Sequence, residues 1–146
     1  MKLLSLCVIC ALFTACNAPK PGVLNAGNLE SFYVTVNIDK DTLIKTPKGA
    51  IIKILNHSFS ENVELEIKEA YTMKDIVLAG LNTESNGKPL RSGGMIYINS
   101  RNGKEISVQK PIKILLPANG IEEGMEVFKG SVTDDNINWQ PVDSLI

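Results

Sequence analysis

The residues of this chain with chemistry to offer are three cysteines, one histidine and a few closely spaced acids. Cys7, Cys10 and Cys16 all fall at the very start of the sequence, and His57 is the only histidine. Cys7-Val8-Ile9-Cys10 has the C-x-x-C spacing of a dithiol pair or half of a metal site. It lies inside an apolar run, without a second pair or a nearby ligand, so neither redox nor metal chemistry is expected of it. Any imidazole mechanism must pass through His57. Zinc there would need further His or Cys ligands, and the chain beyond Cys16 has none. Asn37-x-Asp39-x-Asp41 starts like a calcium loop, but Thr42 stands where the loop needs Gly and Lys48 where it needs Glu. That stretch is read as a solvated turn. Glu64 and Glu66 invite a paired-carboxylate reading, yet they alternate with Val63, Leu65 and Ile67 as one wet sheet face does. No G-x-S-x-G, phosphate loop or dinucleotide fingerprint is present. The expectation is therefore a protein that is not an enzyme, with no catalytic residue, cofactor or metal.

Cys16 has a different chemistry. Met1-Lys2 is a short positive start, and Leu3 to Phe13 is an apolar run too short to span a bilayer. Leu12-Phe13-Thr14-Ala15-Cys16 follows directly. This arrangement resembles the lipobox of bacterial lipoproteins, with Phe13 where that family prefers Leu. The resemblance implies a diacylglyceryl group on the Cys16 thiol, cleavage just before it by signal peptidase II and usually acylation of the new amino group. Residues 1–15 are then a signal peptide, and Cys7 and Cys10 leave with it. Asn17 occupies the position where an aspartate would retain such a protein at the inner membrane, which points to the outer membrane. Residues 16–30, rich in Pro, Gly and Asn, are predicted to be a flexible tether.

Residues 31–146 must then form the folded body. The chain has 146 residues, 44% apolar and 21% charged, with a formal net charge of −1, enough for one ordinary domain and without the basic excess of a nucleic-acid binder. Phe32, Val34, Val36 and Ile38 alternate with polar residues in a half-buried strand. Thr42 to Lys45 and Ala50 to Leu55 flank the Pro47-Lys48-Gly49 turn, and Val63 to Tyr71 alternates cleanly. Thr72 with Asp75 three residues later reads as a capping box for a short helix near 72–79, stopped by Gly80. Asn86-Gly87 and Asn102-Gly103 are hairpin signals. A two-residue turn at Asn102-Gly103 would set Tyr97 against Val108 and Ile98 against Ser107, placing Met95, Tyr97, Ile106 and Val108 on the core face. Ile112 to Leu116 makes another strand after Pro111. Ala118 to Gly124 is a loop, Met125 to Lys129 a strand, Asp134-Asp135-Asn136 a turn and Ile137 to Trp139 the last strand. Short strands between closely spaced turns predict an all-β, antiparallel β-sandwich.

Thr46-Pro47-Lys48-Gly49-Ala50-Ile51-Ile52-Lys53-Ile54, the Glu64-to-Tyr71 strand, Gly93-Gly94-Met95 and Lys110-Pro111-Ile112 through Pro117 resemble a ZU5-type domain over about 31–142. The resemblance implies a β-sandwich that serves as an interaction or spacer module. His57-Ser58-Phe59-Ser60 shares residues with the His-Phe-Ser self-cleavage site of some animal proteins containing such domains. Its order differs and it sits at an early strand, so His57 is read as an exposed loop histidine.

The function expected from these features is a lipid-anchored, non-catalytic module at the cell envelope. It would be held to the membrane through Cys16 and dock an envelope protein. The alternative is a glycan- or ligand-binding lipoprotein with Trp139 and Tyr33 as its stacking surface.

Overall fold

The computed structural model describes residues 25–117, 123–133 and 136–142. Residues 1–15, expected to be a signal peptide, lie outside the described residues with Cys16, Glu122, Asp134 and Asp135.

The described residues form an all-β fold with one short α-helix. Its strands are β1 (Ser31–Val36), β2 (Thr42–Lys45), β3 (Ile51–Ile54) and β4 (Val63–Ala70), followed after helix α1 (Met73–Leu78) by β5 (Glu84–Ser85), β6 (Lys88–Pro89) and β7 (Met95–Ser100). β8 (Lys113–Leu115), β9 (Phe128–Thr133) and β10 (Asn136–Pro141) complete it. One sheet has the order β1-β4-β7 and a second the order β2-β3-β8, while β5/β6 and β9/β10 are separate hairpins. All pairings are antiparallel.

Alternation decides which faces meet. In β1 and β4 the opposed pairs Phe32–Ile67 and Val34–Leu65 turn inward. From the second sheet Ile44, Ile52 and Ile54 meet them, and with Val36 and Phe59 they form the core. Ile52, Ile54, Leu65 and Ile67 have no exposed surface at all. Burying each such side chain stabilises by roughly 1.5–3 kcal/mol before chain entropy is counted.

The helix forms where its caps predict. The Thr72 hydroxyl accepts from the Asp75 amide while the Asp75 carboxylate accepts from the Thr72 amide. At the other end Gly80 takes φ 62, its amide donates to Val77 and that of Leu81 to Ile76, a Schellman closure. Only Ile76 of the helix is buried.

The strand expected from Met125 begins only at Phe128, and a larger expectation is overturned as well. Asn102-Gly103 does not start a returning strand. Gly103 has φ 71, but Asn102 is not in the left-handed region, so the type I′ turn is not made. The Gly103 amide donates back to Ser100, the Asn102 side chain accepts from the Lys104 amide, and the Ser100 hydroxyl donates to the Lys104 carbonyl. These local bonds occupy the groups a ladder would use. β7 pairs instead with β4, setting Tyr97 against Lys68 and Ile98 against Ile67. The inward face of β7 is therefore Ile96, Ile98 and Ser100, while Tyr97 and Val108 are exposed. Val108 makes only an isolated bridge to Phe59.

The stretch predicted as a tether reaches the domain before residue 31. A single-turn 3-10 helix spans Ala26–Asn28. The Asn25 amide and the Asn28 side chain both donate to the Leu78 carbonyl, and Lys68 Nζ donates to the Ala26 carbonyl.

Candidate functional site

The outer face of the β1-β4-β7 sheet holds the most organised set of exposed polar and aromatic side chains. Register sets Ser31, Lys68 and Tyr97 in one row, Tyr33, Glu66 and Asn99 in the next, and Thr35 beside Glu64. Arg101 follows β7, its amide donating to the Glu64 carbonyl. Its guanidinium lies 4.6 Å from the centre of the Tyr33 ring and donates to Glu64 Oε1 at 2.8 Å. A cation over a ring face and a carboxylate beside it fix both side chains in place.

Glu66 is the hub of the middle row. Its Oε1 accepts from the Ser31 hydroxyl at 2.6 Å and from the Tyr33 hydroxyl at 3.4 Å, with Lys68 Nζ at 3.5 Å. The Ser31 hydrogen bond, helped by the Lys68 ammonium and the Tyr33 hydroxyl, holds its carboxyl below the usual carboxylate range. Asn99 donates to the Tyr97 hydroxyl at 3.1 Å. Tyr33 and Tyr97 nevertheless stay 44% and 47% exposed, so both remain available to a partner.

Next to Arg101, residues 104–107 stand away from the start of β4. A groove of about 350 Å³ opens between them, lined by Glu61, Glu64, Arg101, Lys104 and Glu105 among others. Its charges are mixed, so it favours neither a cation nor an anion outright.

The structure does not bring Trp139 and Tyr33 into one surface through any contact described. Trp139 sits on β10, half-buried, and its indole N–H donates to the Asn82 carbonyl at 2.7 Å. Its ring lies over Gly130, where an added Cβ would come within 3.1 Å of Cζ3. The Asn138 side chain accepts from the Asn86 amide, tying the same hairpin to the β5–β6 turn. Sequence reasoning does not gather Tyr97, Glu66 and Arg101 onto a common face. The signal is present in the alternation of β4 but needs the true partner of β7.

His57 is exposed, with φ 55 and its amide donating to the Ile38 carbonyl. Its imidazole has no hydrogen-bond partner among the described residues. Ser58 is buried with its hydroxyl unpartnered. The Asn37–Asp41 stretch is a turn with two side chains engaged by backbone: the Asn37 side chain accepts from the Asp39 amide, and Asp41 accepts from the Asn56 amide of the next turn. Among the described residues no three His, Cys, Asp or Glu side chains gather as metal ligands, and no helix is long and apolar enough to cross a membrane.

A second polar cluster joins the sheets. Glu69, buried at the end of β4, accepts from the Thr46 hydroxyl, the Lys48 amide at 3.0 Å and the Tyr71 hydroxyl at 2.8 Å. Lys48 Nζ reaches the Glu69 carbonyl and, at 3.0 Å, Asp75 Oδ1. Every member is occupied by another, so this cluster reads as a structural clasp.

No protein-family model, curated protein or solved structure matches the chain.

Proposed function

We propose that this protein is a non-catalytic interaction module of ZU5-like type, carried on a lipid at Cys16 in the outer membrane and docking an envelope protein. The observation that supports it is the outer face of β1-β4-β7. Tyr and Arg dominate the energetics of protein interfaces because they offer large, amphipathic contact area. Here Tyr33, Tyr97 and Arg101 are exposed yet held in place by Glu64, Glu66 and Asn99. Ordering them in advance lowers the entropy lost on binding. The lipid reading is supported by Thr14-Ala15-Cys16 after its apolar run.

The test is capture from native membranes with the full chain, comparing wild type with Tyr33→Ala/Arg101→Ala. A protein complex retained by wild type and lost by the variant is the expected result. Enrichment of glycans instead would move the function to carbohydrate binding on Tyr33 and Tyr97. An unchanged partner set would remove this face from the proposal. For the anchor, Cys16→Ser should abolish labelling by a fatty-acid probe and leave the precursor uncut.

A further inference from the structure

The outer face of the second sheet carries an unusual mixture. Register places Leu43, Lys53 and Lys113 in one row and Lys45, Ile51 and Leu115 in the next. Leu43 is 71% exposed and Leu115 51%, with Ile51 and Leu55 each at 37%. Lys45, Lys53 and Lys113 are exposed, and none has an ion-pair partner among the described residues. No acidic side chain falls in the two rows. Asp41, beyond their end, is turned onto the Asn56 amide. None of the six residues lines the groove beside Arg101.

We infer that this face rests on an anionic lipid surface. Leucine and isoleucine can enter the boundary between headgroups and acyl chains, while the lysines lie along them and reach the phosphates with their ammonium groups. A second copy of the chain fits poorly. A twofold contact would bring three unpaired lysines against the same three lysines with no acid between them. A membrane supplies what the face lacks, a flat layer of anions with apolar material just beneath. The inference does not depend on Cys16, since a lipid there would bring the domain to a membrane without choosing which face touches it.

The experiment uses the full chain mixed with vesicles of phosphatidylcholine alone or of phosphatidylcholine with phosphatidylglycerol. Lysine acetylation by an uncharged reagent is read residue by residue by mass spectrometry. Labelling of Lys45, Lys53 and Lys113 should fall at least about threefold on the anionic vesicles and recover in high salt. Lys74 and Lys88, exposed elsewhere, should label alike on both. Leu43→Ser/Leu115→Ser should restore labelling of the three lysines on anionic vesicles. Equal labelling on the two vesicle types would overturn the inference. So would protection without vesicles that grows with protein concentration, which would mean a second copy. Protection by added cell extract but not by vesicles would overturn it in favour of an acidic protein.

Discussion

Thr46 and Glu69 meet across the two sheets: the threonine hydroxyl donates to the carboxyl group, and both residues are buried, at 3% and 5% exposure. The same hydroxyl accepts from the Ala50 amide at 2.8 Å, so one atom closes the β2–β3 turn and clasps β4. Glu69→Leu would remove the shared acceptor of the Tyr71 hydroxyl and the Lys48 amide and leave the Thr46 hydroxyl only its bonds to Ala50. The expected loss is about 2–4 kcal/mol, read as a lower urea midpoint with an unchanged slope. Thr46→Val should cost about 1–2 kcal/mol. Lys74→Ala, on the exposed side of α1, should stay within about 0.5 kcal/mol.

The clasp also sets how stability responds to pH. Burial, with the neighbouring Glu69 carboxyl, pushes the Tyr71 hydroxyl well above its ordinary value. A group raised in the fold stays protonated there after it has ionised in the unfolded chain. Its contribution is full below the ordinary tyrosine range and is lost as pH climbs above it. Asp75 works the other way. Burial pulls its carboxyl up, but the Lys48 ammonium and the bonds from Thr72 outweigh this and hold it at about 2, against 3.8 unperturbed. Its contribution is present above 3.8 and is lost as pH falls toward 2. Thermal unfolding across pH should therefore show Tyr71→Phe flattening the alkaline fall and Asp75→Asn the acid one. If each variant merely lowers the whole curve by a constant, the assignment is wrong.

Glycines at positive φ should separate strain from crowding. Gly103, at φ 71, has nothing within 4 Å of where a Cβ would sit, whereas at Gly94, with φ 133, a Cβ would come within 2.7 Å of the Tyr71 ring. Gly103→Val should cost only the backbone term, about 1–3 kcal/mol. Gly94→Ala adds a collision with Tyr71 and should cost more, although its side chain is smaller. Denaturant midpoints of the two variants decide the order.

Trp139 is the only tryptophan, so its fluorescence reports one place. An alanine Cβ at Gly130 would lie 2.9 Å from Ile137 Cγ2 and 3.1 Å from the indole. Gly130→Ala should lift the ring from its seat, shift its emission to the red and leave the cooperative unfolding of the main sheets nearly unchanged. A blue shift, or no shift, would show that the ring is not held as described.

Much of the fold was legible because it is local. The Phe32–Ile38 and Val63–Tyr71 alternations name their own inward faces, and the Thr72–Asp75 box needs nothing beyond four residues. The two Asn-Gly pairs show where this stops. Asn86 and Gly87 take φ 49 and 78 and make the hairpin between β5 and β6. Asn102-Gly103 carries the same signal, but Ser100 and Asn102 consume the backbone groups around Lys104, and β7 finds β4 from far along the chain. The face of Tyr33, Glu66 and Tyr97 depends on that distant pairing. So does the lysine and leucine face: Leu43 with Lys45, Ile51 with Lys53 and Lys113 with Leu115 each look like ordinary strand alternation until register lines them up.

The three bonds that hold residues 25–28 to Leu78 and Lys68 also define a load path. A pull on the chain ahead of Asn25 meets these exposed bonds before it meets the ladder between β1 and β4. They would break in succession at low force and give back only a residue or two of slack each time. The sheet beneath would then be shielded from brief tugs, and only a sustained pull would reach the core at Phe32.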